Sequence, residues 1–532
     1  MPIASLSIPS DYWETFQIQP SDLEFIYNRL IELETPQTPQ ELLRALILER
    51  IRVEVEQLKS QQAAGGAIYL PKNHYHEAQH ILFPNMDLRS GQVVAVRPAN
   101  NPDLPPFEVI TVQFEDGEKK LFSAGLVNHK LNEPVDVKLD DPLLNESYIF
   151  KKYGDILLAR LSDYLENNPD IVQIAAKWFP RTLLVDVNIG HLNLAEAVLE
   201  MAEGGPLPTP AILEQIELPT DVNPKLTEFS LNLALQEDGR FDEVGPSGEV
   251  LWFLRRLEPD GVRNSPIYLK FAGTIVENEK IEELLKPLQR EVIDEMDDEA
   301  NTKEELDRLA INLIFPHWRS GTLPLSSKVS RLLPTAYEAP RVQFTFVDRD
   351  SKQRISAWVV RASHYVFGLR DWYQTQGLFP GSIVNIQRSK IPGEVIIWAD
   401  KKRPSREWIR TVLIGADGGI VFAMLKQMVV SAYNERMAIA VPDPKALDEL
   451  WESTNNKQKG SLEGSIRKMM VDLAKLSPQG HVHAIELYAA INLIHRCPPS
   501  VILNILTESP WSRYLGDLYF KPEETSQEDK TQ

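Results

Sequence analysis

Residues 190–259 restrict the possible folds more than any other stretch, because their helix boundaries are spelled out locally. "LNLAEAVLEMAEGG" reads as one helix ending at Gly204-Gly205. "TPAILEQI" and "NPKLTEFSLNLALQEDG" then start alike, a capping residue followed by proline. Proline suits the first helical position, where an N–H would have no helical partner. "RFDEVGPSGEVLWFLRRL" follows as two strands joined by a Gly-Pro-Ser-Gly turn. The order is three short helices and then a hairpin, within a predicted domain 190–270.

The rest of the 532 residues changes texture often enough to predict three to five domains. An N-terminal helical segment, 1–62, carries capping-box spacing at Ser21-Asp22-Leu23-Glu24, a break over Pro36 to Pro39, and a second helix in "QELLRALILERIRVEVEQLKSQQ". After Gly65-Gly66, β-rich runs alternate with Asn-Pro and Asp-Gly turns, predicting a small barrel over 63–135. A helical linker region, 136–189, precedes the 190–270 unit. An acidic helical connector, 271–325, follows it. Over Glu277 to Arg308 there are thirteen acids and five bases, a net of −8, read as a solvated face or hinge. A basic β-barrel over 326–412, an α/β connector over 413–458 and a second helix–hairpin unit over 459–522 complete the order. The last ten residues, "EETSQEDKTQ", read as a disordered tail. The predicted fold class is α+β multidomain, with small β-barrels alternating with winged-helix and helical segments.

Three stretches resemble known families. The helix-helix-helix-wing order and the wing "FDEVGPSGEVLWFL" resemble the HARE-type winged helix, which is similar to the N-terminal domain of the delta subunit of bacterial RNA polymerase. "RISAWVV…YVFGLRDWYQTQGLFPGSIVNI" resembles the pseudobarrel DNA-binding domain of plant auxin-response-type transcription factors. "LFPGS" stands there in place of the acid-bearing "L-x-x-G-D" step of that family. "GQVVAVRPANN…FEVITVQFEDGEKKLF" resembles an SH3-like or KOW-like barrel.

Charge narrows the function classes. The formal net charge is −20, so the surface as a whole repels phosphate and anionic lipid. One cysteine, Cys497, permits no intramolecular disulfide, and no signal peptide or spanning apolar run is read, so a cytoplasmic protein without membrane contact is expected. Residues 328–410 depart from this background, with fifteen bases and seven acids, a net of +8, leaving −28 elsewhere. The candidate phosphate contacts are Arg349, Lys352, Arg354, Arg361, Arg370, Arg388, Lys401, Lys402, Arg403 and Arg406. Trp358, Tyr365, Trp372 and Tyr373 are interleaved with them as stacking candidates. "KKRPSREWIR" reads as a phosphate-clamping loop after the last barrel strand. The bland alternative is a basic face that balances the acidic connector.

Residues 190–259 hold four bases and thirteen acids, and the would-be recognition helix sets Lys225 against Glu228 and Glu237. Charge therefore favours a protein partner, such as the transcription machinery, over a DNA groove. His76-Glu77-Ala78-Gln79-His80 spells H-E-x-x-H; on a helix His76 and His80 could bind zinc, with Glu77 as base. Pro71 and Pro84 leave little room for such a helix, and only Glu108 and Glu115 offer a third ligand by position. His481 and His483 read as a surface pair, Cys497 as a buried thiol, and "GADGG" as a turn between strands. No cofactor is implied. The expected function is a non-enzymatic, nucleic-acid-associated regulator. A protein–protein adaptor and a zinc metallohydrolase are the alternatives.

Overall fold

The computed structural model describes residues 9–523, apart from 65–66, 84–85, 87–88, 102–104, 115, 133–141, 219–221, 272, 275–278, 298–305, 337–338, 416–418 and 457–460. Gly65-Gly66, Glu115, the end of "DEMDDEA", the tip of the "GADGG" turn and the C-terminal tail lie outside the described residues. The chain is a multidomain α+β protein with two compact units, Met1–Val185 with Thr220–Phe229, and Asp186–Pro219 with Ser230–Gln532. Among the described residues no helix is long and apolar enough to cross a membrane.

The first unit opens with α1 (Tyr12–Thr15), α2 (Pro20–Leu33) and α3 (Pro39–Ala64). The cap of α2 lies two residues earlier than expected. Pro20 takes the first turn, and Gln19 N–H donates to Asp22. Asp22 also receives Arg50 of α3 at 2.5 and 2.6 Å, so one buried carboxylate ties the two helices together. Strands β1 (Ala67–Ile68), β2 (His80–Phe83), β3 (Arg89–Pro98), β4 (Glu108–Phe114) and β5 (Lys119–Ala124) form one sheet in sequence order. The sheet curls: Tyr69 donates to the Ser123 carbonyl at 2.7 Å, and Leu126 N–H to Pro71 at 2.7 Å. The 136–189 segment contains α4 (Glu146–Glu166), but also a hairpin, β6 (Ile171–Ile174) with β7 (Lys177–Pro180), in place of continuous helix.

Next come α5 (Ile189–Met201), β8 (Leu207–Pro208), α6 (Thr209–Leu213), α7 (Pro224–Glu237), β9 (Phe241–Glu243) and β10 (Leu251–Leu254), three helices and a sheet of order β8-β10-β9. They belong to the second unit, except for the start of α7, through Phe229, which belongs to the first. The Asn232 oxygen in their core receives both the Thr209 hydroxyl at 2.5 Å and the Trp252 indole at 2.9 Å, so these buried polar groups are satisfied.

After α8 (Asp260–Arg263) and α9 (Glu279–Glu291) comes a nearly closed barrel. It consists of β11 (Arg308–Asn312), α10 (Phe315–Ser320), β12 (Thr322–Pro324), α11 (Ser327–Ser330), β13 (Arg341–Asp348), β14 (Arg354–Val360), β15 (Tyr365–Phe367), α12 (Arg370–Thr375), β16 (Ile383–Arg388) and β17 (Glu394–Trp398). The sheet order is β11-β16-β17-β13-β14-β15-β12. The barrel therefore begins inside the expected connector, because β11 finds its partner, β16, some seventy residues later. Alternation in "RVQFTFVD" sends Val342, Phe344 and Phe346 inward.

The remainder comprises β18 (Lys401–Ile414), β19 (Ile420–Ser431), β20 (Ile439–Ala440), α13 (Pro444–Asn456), α14 (Leu462–Ala474), β21 (Val482–His483), α15 (Ala484–Ile491), α16 (Pro499–Glu508), β22 (Ser512–Gly516) and β23 (Tyr519–Pro522). The expected 413–458 connector thus supplies most of a long hairpin, β18–β19. The last three helices and strands repeat the earlier topology, with sheet order β21-β23-β22.

Within the acidic run Glu282, Glu283, Glu291 and Asp307 are exposed, as a solvated face requires, but Asp294, Glu295 and Asp297 carry buried side chains, against that expectation. Arg496 holds Asp294 at 2.7 Å and Glu295 at 2.9 Å, and Glu295 also meets His317 at 3.0 Å. Burial alone would raise the Glu295 pKa, but Arg496 and His317 more than offset it and hold the carboxyl below its usual range. Asp297 accepts from Ser500 N–H and hydroxyl, both at 2.5 Å, at the start of α16. His483 is likewise not at the surface; it is buried at the N-terminus of α15, where Nδ1 accepts from Ile485 N–H at 3.2 Å.

Candidate nucleic-acid interface

The β13–β14 turn exists because Asp348 organises it. Its carboxylate accepts from Asp350 N–H at 2.9 Å, Ser351 N–H at 2.7 Å and the Trp372 indole at 2.7 Å. Burial would raise the Asp348 pKa, yet these hydrogen bonds outweigh it and lower the value. Lys352 takes the left-handed region at φ 60° to close the turn. The turn presents Arg349, Lys352 and Arg354 to solvent. Arg349 stacks 4.2 Å over Trp398 and lies 3.7 Å from Asp400, and Arg354 pairs with Glu394 at 2.5 Å. These two arginines are therefore partly neutralised.

"KKRPSREWIR" is a strand and not a clamping loop. β18 pairs with β19 from Lys401↔Ser431, passes an irregularity, and then runs in register from Ser405↔Val429 to Ile414↔Ile420. Pro404 falls inside that irregularity, where a strand tolerates a missing N–H. Lys401, Lys402, Arg403 and Arg406 are all exposed. Among the described residues, no carboxylate lies within ion-pair distance of Lys401, Arg403 or Arg406. Lys402 sits 4.5 Å over the Tyr433 ring.

The ten predicted bases do not form one face. Arg349 is bonded through its N–H to Ile397, beside the β17–β18 connection that leads into Lys401. Arg361 follows the other end of β14, Arg370 donates to the Arg319 carbonyl at 3.1 Å, and Arg388 donates to the Arg331 carbonyl at 2.6 Å. The four stacking candidates are buried, which corrects the expected interleaved surface. Trp358 packs edge-on against Phe253 at 5.2 Å, and Tyr365 donates to the Gly261 carbonyl at 2.8 Å. Trp372 is bound to Asp348, and Tyr373 donates to the Thr322 carbonyl at 2.8 Å. An aromatic of this stretch that does face solvent is Trp408, 61% exposed, which sequence reasoning passed over. The alternation in R-E-W-I-R-T was the available signal.

The would-be recognition helix, α7, is largely buried. Leu226, Thr227, Phe229, Ser230, Leu231, Asn232 and Leu235 of α7 are buried, and Phe229 meets Phe179 edge-on at 6.2 Å. The turn between β9 and β10 is bonded to the barrel region, Gln343 N–H to Val244 at 2.8 Å and Ser247 N–H to Thr335 at 2.6 Å. α16 packs along α9.

His76-Glu77-Ala78-Gln79-His80 forms no helix. Ala78 turns at φ 68°, and His80 already starts β2 opposite Gln92. The two imidazoles are thus not set one helical turn apart, and Glu108 is engaged by His74 at 2.9 Å. Among the described residues no three His, Cys, Asp or Glu side chains come together to hold a metal ion. Comparison with family models, curated proteins and solved structures finds no match to this chain.

Proposed function

We propose that this chain is a nucleic-acid-associated protein that holds a phosphate backbone along the first half of β18 and the adjoining β13–β14 turn. The observation that carries this reading is the exposed run Lys401, Lys402, Arg403 and Arg406. Three of these cations have no carboxylate partner among the described residues, in a chain of net charge −20. Uncompensated cations kept in an acidic protein favour an anionic ligand. In this reading the two helix–sheet units are winged helices, the first of HARE type, and the barrel is a DNA-binding pseudobarrel. The inward packing of α7 and α16 supports a bracing role for the two units over groove reading. A partner protein meets the acidic unit over the outer face of α5, where Ile189, Leu194 and Met201 are exposed.

The full chain should bind labelled DNA or RNA at low salt, with a log–log salt slope of about −0.9 per duplex phosphate neutralised. Changing Lys401, Lys402 and Arg403 together to Ala should reduce that slope by up to roughly three units. Absence of binding at low salt by the folded chain overturns the reading and leaves the adaptor in its place.

A further inference from the structure

We propose that the outward face of the β18–β19 hairpin takes single-stranded nucleic acid, with Trp408 as the surface on which a base stacks; this rests on the nucleic-acid reading above. Directly opposed residues of an antiparallel pair share a face. The pairs Arg406↔Met428, Trp408↔Lys426 and Arg410↔Met424 therefore lie on one side of the hairpin. Trp408 is 61% exposed, Met428 60% and Met424 42%. Beyond them the same side turns inward, since Val412, Phe422 and Ile420 enter the core. Arg410 is already engaged by Glu486 at 2.9 Å and the Arg436 carbonyl at 3.0 Å.

What remains open is a platform of Arg406, Trp408, Met424, Lys426 and Met428. It carries two cations and no acid. Glu407 projects to the other side, where it accepts from Ser405 at 2.8 Å and from Tyr433. Lys426 lies 5.3 Å from the Trp408 ring, which keeps a cation beside the aromatic face.

Charge complementarity selects an anion, and the apolar part selects its form. A duplex presents phosphates and hides the faces of its bases, so it leaves an exposed indole and two thioethers without partners. An unpaired strand offers both phosphates and π-faces, the combination that a flat basic–aromatic surface recognises. An acidic protein segment satisfies the charge but brings no aromatic base to the indole.

The test measures fluorescence anisotropy of a labelled oligo-dT strand and of a duplex of equal length, with the full chain and with Trp408→Ala and Trp408→Phe. The single strand should bind more tightly than the duplex. Trp408→Ala should weaken the single strand roughly five- to hundred-fold, as loss of one stacked base does, with duplex affinity unchanged and most affinity retained in Trp408→Phe. Equal binding of strand and duplex with Trp408→Ala silent overturns this proposal and leaves the phosphate-binding function standing. Poly-glutamate competing as well as oligo-dT of equal charge also overturns it, making the platform an acidic-protein site. No binding of either nucleic acid at low salt removes both.

Discussion

Protonating His483 removes the acceptor that starts α15. Burial, reinforced by the Arg436 charge, pushes its pKa from 6.5 down to about 4. The folded-state value lies below the unfolded one. The stability tied to the neutral ring is therefore complete above the ordinary value of 6.5 and is lost as pH falls toward 4. His483→Asn keeps a side-chain acceptor at the cap and does not titrate, so thermal unfolding of that variant should show a flatter decline across the same window. An unchanged decline would assign the acid sensitivity elsewhere. Asp297 works in the opposite sense. Burial and the neighbouring Asp294 raise it from 3.8 to about 6, so its contribution is lost as pH rises through 6. Asp297→Asn should remove that loss. The sequence shows neither effect, since His483 looks like one of two alternating histidines until β21 and β23 bury it.

Two tryptophans separate what a strand shows outward from what it buries. Trp358 on β14 is packed against Phe253, so Trp358→Ala should destabilise the chain by about 3–5 kcal/mol in denaturant unfolding. Trp408→Ala should stay within about 0.5 kcal/mol, because its ring faces solvent. Equal losses would mean that the hairpin face is covered. Element types were legible where local spacing decides them: the helices near 190–237 and the hairpins of the tail follow from caps, prolines and turn glycines. Strands of two residues, such as Leu207–Pro208 and Val482–His483, carry no period to read. β11 and β12 were hidden because their partners, β16 and β15, lie far along the chain. β18 was obscured by charge and by Pro404, which resemble a loop to any local rule. The candidate site was legible as a cluster of bases but not as a surface, since which aromatics face outward depends on the barrel's pleat.

At the scale of the whole molecule, an acidic chain closes part of its core with a single guanidinium. Arg496→Met should destabilise it by about 3–5 kcal/mol, because Asp294 would stay buried without its guanidinium and Glu295 would keep His317 alone. Denaturant unfolding checks this, and adding Asp294→Asn and Glu295→Gln to the same variant should recover part of the loss. A wild-type midpoint for Arg496→Met alone would mean that the two carboxylates reach water. The same ion pair sets a timetable for a growing chain. Asp294 and Arg496 are 202 residues apart. At synthesis rates of about 5–20 residues per second, the acid emerges roughly 10–40 s before the base that neutralises it. Until then the ribosome-bound intermediate must keep residues 294–295 hydrated, so this part of the barrel's surroundings cannot settle before the C-terminal helices arrive.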